Sequence, residues 1–318
     1  MRLVSFNANA NANANANAND NANANGTLRS GIETEAGIAD TGFVAVLAGF
    51  GEGARITFRS TRAVLALSRE ELRRLKVTAE ESMAELREQG ALHRADDVHL
   101  GPPVPDPPKI ICLGLNYRDH AQEAGLALPA EPMFFAKWAN SLIGPNDVIV
   151  PPAGATEHVD YEAELAVVIG KRARNLGADD ALDHVAGVTV FNDVSARDLQ
   201  LANNLWTGGK AIDTFGPCGP AIVTLEEIGN LDALPVRTRV NGNTVQDGNT
   251  ADMIFGVAET IVFLSQIMTL EPGDIIATGT PAGVGNSRTP KLFLHAGDTV
   301  EVEIDGVGTL SNRIAEAI

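Results

Sequence analysis

The sequence predicts an α+β fold dominated by short strands, with a small N-terminal α+β domain ahead of a larger one. Three observations predict it. Seven apolar or alternating runs bounded by Gly, Pro, Asn or Asp crowd the chain beyond residue 109. Helical periodicity is confined to a few stretches, which leaves a sheet-dominated arrangement. Between the halves, Gly101 to Pro108 (GPPVPDPP) carries five prolines in eight residues, a stiff extended segment that reads as an interdomain linker. The 318 residues thus divide into a small domain over 1–100, the linker over 101–108 and a larger domain over 109–318.

In chain order, Arg2 to Phe6 (RLVSF) and Thr27 to Ile32 (TLRSGI) read as strands of one hairpin. Residues 7–25 between them alternate Asn and Ala, ten Asn and eight Ala with Asp20 the exception. Such a run has no large apolar side chain to bury and little strand propensity. It reads as a nonfunctional low-complexity loop or an artefact of the sequence, at a hairpin tip where insertion costs little closure entropy. Phe43 to Leu47 reads as a further strand. Ser68 to Gln89 is the clearest amphipathic helix: Ser68 caps it with Glu71 three residues on, and Leu72, Leu75, Met83 and Leu86 form its apolar stripe. Beyond the linker, strands are expected at Ile110 to Leu115, Leu165 to Ile169, Val185 to Phe191, Pro220 to Val223, Val236 to Val240, Ile275 to Thr278 and Thr299 to Ile304. Asn241-Gly242-Asn243 is a hairpin turn signal, and Ala251 to Met268 is the best helix candidate of this half.

Composition excludes several function classes. Twenty-four basic against 41 acidic residues leave a net charge of −17, without the basic face that nucleic acid or an anionic membrane surface requires. No window approaches the ~18 to 20 apolar residues of a membrane span. Met1 to Phe6 runs directly into a polar stretch, so no secretory core is expected. Cys112 and Cys218 are too few for a disulfide scaffold or a paired zinc motif, and a reducing cytoplasm is the expected compartment.

The densest chemistry lies in Val159-Asp160-Tyr161-Glu162-Ala163-Glu164, which leads into an apolar strand. On a strand Glu162 and Glu164 share a face, and two carboxylates there repel unless a cation or a shared proton lies between them. A solvated strand face carries the same pattern. Asp193, at the C-terminal end of the Val188 to Asn192 strand, adds a third carboxylate. Three carboxylates without nearby His or Cys describe a hard, oxygen-rich cation site suited to Mg²⁺, Mn²⁺ or Ca²⁺. On this reading removal of Glu162 relieves repulsion and leaves the metal-free fold intact.

Upstream, Asn116 is expected to cap a helix that carries Asp119 in its first turn. His120 and Glu123, three apart, are neighbours on its surface, and a carboxylate that fixes one imidazole nitrogen makes the other a general base. Arg197 and Gln200 follow Asp193 closely, Lys210 adds an ammonium, and Thr278 to Gly283 (TGTPAG) is a loop of small residues whose backbone can approach a ligand. No Walker or dinucleotide glycine motif occurs there, so nucleotide cofactors are not indicated.

Six segments in order, NYRDHAQEAG, VDYEAELAVVIG, FNDVSARDLQ, GKAIDTFGPCGP, LEPGDIIATGTPAGVG and FLHAGDTVEVEIDGVG, resemble the fumarylacetoacetate hydrolase superfamily over residues 109–318. The resemblance implies a mixed β-sandwich roll and a homodimer. It implies that Glu162, Glu164 and Asp193 hold a divalent metal, usually Mg²⁺ or Mn²⁺, and that His120 and Glu123 form the dyad. It further implies that Lys210 is catalytic, and that Arg197, Gln200, Thr280 and Lys137 in FFAKW contact a small anionic 2-oxo acid substrate. The leading expectation is metal-dependent hydrolysis of a carbon–carbon bond in a 2,4-dioxo acid. In that reaction the metal polarises the 2-oxo acid while His120 activates water. The alternative is oxaloacetate decarboxylation or isomerisation of a hydroxymuconate-type diacid, at the same site without water attack.

Overall fold

The computed structural model describes residues 1–8 and 28–318, so most of the Asn-Ala run lies outside the described residues. β1 (Arg2–Asn7) pairs antiparallel with β2 (Arg29–Thr34), Leu3 opposite Ile32 and Phe6 opposite Arg29, as the hairpin reading requires. β3 (Gly37–Asp40), β4 (Leu92–His93) and β5 (His99–Gly101) complete the N-terminal strands. β6 (Ile110–Gly114), β7 (Met133–Lys137), β8 (Leu142–Ile143) and β9 (Val148–Ile149) follow. Next come β10 (Val159–Asp160), β11 (Ala163–Ile169), β12 (Val185–Asn192), β13 (Ser195–Ala196) and β14 (Gly216–Val223). The chain closes with β15 (Pro235–Val240), β16 (Asn243–Asn249), β17 (Ile275–Ala277), β18 (Thr299–Ile304) and β19 (Gly308–Ile314).

These strands form an α+β fold with a 12-stranded mixed sheet, ordered β4-β3-β2-β1-β14-β12-β11-β17-β6-β7 with β5 also paired to β1 and β8 to β14, and a five-stranded sheet ordered β16-β15-β18-β19-β9. The N-terminal strands therefore continue the large sheet through β1 and β14, Leu3 opposite Ile222. Pro102, Pro103 and Val104 of the proline-rich segment are buried, so it packs against the sheet rather than spanning solvent. At the centre of that sheet β11 is buried at every position, and its side chains alternate between two cores. Ala166 and Val168 pack with the N-terminal helices, including Leu72, Leu75 and Leu86. Leu165, Val167 and Ile169 pack toward Val236, Val302 and Leu310 of the five-stranded sheet. Between β15 and β16, Asn241 and Gly242 both adopt positive φ, 50° and 78°, as a two-residue hairpin turn with right-handed twist demands.

Four element readings are corrected. Phe43 to Leu47 is helical: Thr41–Ala45 forms a helix, capped by the Asp40 carboxylate accepting from Gly42 N, and continues into Val46–Phe50. A capped first turn here overrides the β-branched and aromatic composition. The Ser68 helix carries the expected capping box but divides at Ser82 into Arg69–Glu81 and Met83–Glu88. The later helix starts at Val257 rather than Ala251, because Thr250–Asp252 forms a separate turn capped by Asn249. Asn116 is not a helix cap. Tyr117 occupies that position, and the Asn116 side chain donates to Phe255 O and Thr278 O while accepting from Phe255 N.

Candidate active site

Strand pairing builds the carboxylate cluster. Ala163 lies opposite Asn192, which brings the start of β11 to the end of β12, and Asp193 N donates to Glu162 O at 2.9 Å. One oxygen from each of Glu162, Glu164 and Asp193 then lies within 4.8 Å of the others, and all three residues are buried. Metal–oxygen bonds of about 2.0–2.6 Å place ligand oxygens at just such separations. Glu164 Oε1 is buried without a partner among the described residues, whereas Oε2 accepts from Gly279 N at 3.0 Å. Gly279 approaches this closely because its φ is +91° and a Cβ there would meet Asn116 Cβ at 2.8 Å. Burial, with Asp193 and then Glu162 beside it, pushes the Glu164 carboxyl well above the usual carboxylate range. A buried carboxyl in that condition calls for a proton or a cation, so the residues present fit a hard divalent metal.

Three buried cations brace the cluster. Lys210 Nζ bridges Glu162 Oε2 and Asp193 Oδ2 at 2.8 Å each. Lys137 Nζ lies 2.6 Å from Asp193 Oδ1 and donates to Val194 O at 3.0 Å. Arg197 Nη1 lies 2.7 Å from Glu162 Oε1 and donates to Gln200 Oε1, while Nε donates to Asp160 Oδ2 at 2.8 Å. Among the described residues Arg197 Nη2 is buried without a partner. Burial opposes the charge on Glu162, but Lys210 and then Arg197 outweigh it and hold its carboxyl at about 2. Burial likewise disfavours the Lys210 ammonium, and Asp193 and Glu162 more than compensate, raising its pKa.

The dyad helix, Arg118–Ala124, places His120 Nδ1 3.4 Å from Glu123 Oε2. Both Glu123 oxygens also accept from Gly283 N, at 3.0 and 3.1 Å. The small-residue loop thus approaches the candidate metal ligand through Gly279 and the dyad through Gly283. Burial raises the Glu123 carboxyl, but the His120 ring and the Gly283 N–H outweigh this and hold it below the ordinary value.

A cavity of about 190 Å³ joins the two clusters, with His120, Glu162, Arg197, Gln200, Lys210 and Thr280 in its lining. Lys137 lies apart from this lining: its side chain is fully buried and its ammonium pairs with Asp193. Three residues that the sequence did not mark as part of the site also matter. Asp160, quoted only as part of its motif, accepts from Arg197, Gly285 N and Asn286 N. Its signal was available in the period of two that it shares with Glu162 and Glu164. Asn116 and Gln246 are buried amides whose partners lie far along the chain, so no local pattern marks them.

A family model of the fumarylacetoacetate (FAA) hydrolase C-terminal region matches residues 109–315. "Oxaloacetate tautomerase fahd2, mitochondrial" of Xenopus laevis is 49% identical over 220 residues, 69% of this chain and 69% of that protein. The crystal structure of 2-hydroxyhepta-2,4-diene-1,7-dioate isomerase from Mycobacterium marinum is 40% identical, with TM-score 0.62, covering 70% of this chain and 80% of that one. Fumarylacetoacetate hydrolase from psychrophilic Exiguobacterium antarcticum is 33% identical, with TM-score 0.75 over 99% of both chains. Both structures share this fold over the parts of the chain they cover, and all six sequence segments lie within residues 109–315. The chain belongs to the fumarylacetoacetate hydrolase family.

Proposed function

We propose that this enzyme isomerises a short 2-oxo diacid between its enol and keto forms, oxaloacetate being the representative substrate, with Mg²⁺ or Mn²⁺ at Glu162, Glu164 and Asp193. The observation that carries the reading is a small cavity in which a base and an unpartnered guanidinium nitrogen converge beside the carboxylate cluster. At about 190 Å³ it is below the ~300–1,000 Å³ of drug-sized ligand sites and suits a short acid. The relative from Xenopus laevis and the isomerase from Mycobacterium marinum support this outcome over the hydrolysis expected first.

The charges support a dianionic ligand. Four carboxylates, Asp160, Glu162, Glu164 and Asp193, face three cations, Lys137, Arg197 and Lys210, a formal balance of −1. A divalent cation turns that balance positive and supplies Lewis acidity to a 2-oxo acid's oxygens. Arg197 Nη2 then donates to a substrate carboxylate, while its Nε and Nη1 stay fixed on Asp160 and Glu162. Lys210 holds Glu162 and Asp193 together and contributes its positive charge to the wall of the cavity. His120 Nε2 takes the proton from the enol oxygen and returns one to C3, so that bonding shifts from C2=C3 to C2=O and no atom is lost. Glu123 keeps Nδ1 of that ring protonated and oriented.

The test follows enol-oxaloacetate loss and pyruvate release by the Mg²⁺-loaded protein, alongside acylpyruvates. Enol loss well above background without pyruvate supports the proposal, and His120→Ala abolishes it. Pyruvate from oxaloacetate would replace it with decarboxylation, and pyruvate from an acylpyruvate with hydrolysis.

A further inference from the structure

Gln246, within β16, is 1% exposed and uses every hydrogen-bonding position of its amide. Oε1 accepts from Ala163 N at 3.0 Å and from Thr238 Oγ1 at 2.7 Å. Nε2 donates to Thr280 Oγ1 at 2.8 Å and to Pro281 O at 2.9 Å. The orientation of this amide is forced. A backbone N–H can only donate and a backbone carbonyl can only accept, so Oε1 must face Ala163 and Nε2 must face Pro281. The Thr280 hydroxyl therefore accepts a hydrogen bond from Gln246 and keeps its own hydrogen free to donate. Among the described residues it donates to no protein acceptor, and Thr280 lines the cavity.

We propose that Gln246 is a positioning residue that sets the Thr280 hydroxyl as a hydrogen-bond donor toward an oxygen of an anionic 2-oxo acid. A lone threonine hydroxyl rotates and either donates or accepts; here one lone pair is engaged in advance, which removes that freedom before the ligand arrives. The same amide ties the donor to Ala163, the residue between Glu162 and Glu164, so the hydroxyl and the carboxylates keep one spacing. The ligand class rests on the proposed function; the polarity of the hydroxyl rests on the hydrogen bonds alone.

The test measures oxalate affinity by calorimetry on Mg²⁺-loaded protein, with turnover and melting temperature recorded in parallel. Thr280→Val is expected to weaken oxalate about tenfold, the scale of one hydrogen bond to a charged group. Gln246→Met weakens it about fivefold in the wild-type background and less than twofold in Thr280→Val, because the donor it positions is already gone. An equal loss in both backgrounds overturns the proposal and makes Gln246 a purely structural residue. Should Gln246→Met fold poorly, Gln246→Glu replaces it: the ionised carboxylate can only accept, Thr280 must donate to it, and oxalate binding falls even with Mg²⁺ at saturation. Unchanged oxalate affinity in Gln246→Glu also overturns the proposal. Oxalate binding by a wild type that does not turn over enol-oxaloacetate refutes the functional reading and leaves this inference standing. No oxalate binding by the wild type refutes both.

Discussion

Replacing Lys137 by Met removes a buried ammonium while keeping its hydrocarbon bulk. Asp193 Oδ1 then loses its partner at 2.6 Å and depends on Lys210 alone. Breaking a buried pair from one side costs about 3–5 kcal/mol, and the remaining lysine puts this case near 3. With ~2.1 cal/mol/K per residue, a chain of 318 residues has an unfolding entropy near 0.7 kcal/mol/K, so the melting temperature falls by about 4–5 °C. A divalent cation at Glu162, Glu164 and Asp193 gives Asp193 a new partner. The deficit should then shrink below about 1 kcal/mol, because the site has one cation fewer and binds the metal more tightly. Thermal melts in EDTA and in saturating Mg²⁺ or Mn²⁺ measure both quantities. A drop of equal size in the two buffers would refute the reasoning, since the metal would then not be compensating the carboxylate that Lys137 holds.

Glu162→Gln should destabilise the metal-free protein by about 3–5 kcal/mol, because Glu162 is the shared partner of Arg197 and Lys210; an unchanged melt would restore the repulsion-relief reading made from sequence. Glu123 is held below its ordinary value of 4.5, so its contribution to stability is complete above that pH and is lost as pH falls through the lower folded value. Glu123→Gln should flatten the acid limb of the stability profile in that window, and a superimposable profile counts against the dyad. Replacing the Asn-Ala run by a two-residue Asn-Gly turn should leave turnover within twofold, because β1 and β2 are paired already and lie away from the cavity lining; a larger loss assigns the run a role.

The strands were legible because burial on one or two faces imposes a period of two or an unbroken apolar run, and β11, β12 and β18 show both patterns. Phe43 to Leu47 was misread because a cap at Asp40 decides its conformation and hydrophobicity does not. The carboxylates and the dyad were legible for a related reason. Glu162 and Glu164 are two apart at a strand start, His120 and Glu123 three apart on a helix, and each spacing fixes a shared face. Thr280 was recognisable by resemblance, but Gln246 sits in a β16 whose other positions are mostly exposed or half-buried.

By itself, then, the sequence marked the candidates: three carboxylates in a hard-cation pattern, a His120–Glu123 pair three apart, and basic residues close behind them. Tertiary structure decided what each charge does. Lys137 and Asp193 are 56 residues apart and Lys210 and Glu162 are 48 apart, and only the packing of β7 and the Thr207–Lys210 helical turn against the paired ends of β11 and β12 brings such groups into contact. That placement made Lys137 the partner of Asp193, Glu162 a partner of two cations and Glu164 Oε1 a buried oxygen with no partner among the described residues. The physical reason is range. Backbone periodicity fixes neighbours within a few residues, whereas the partner of a buried charge is selected by desolvation in the folded core, where an unpaired ion costs several kcal/mol.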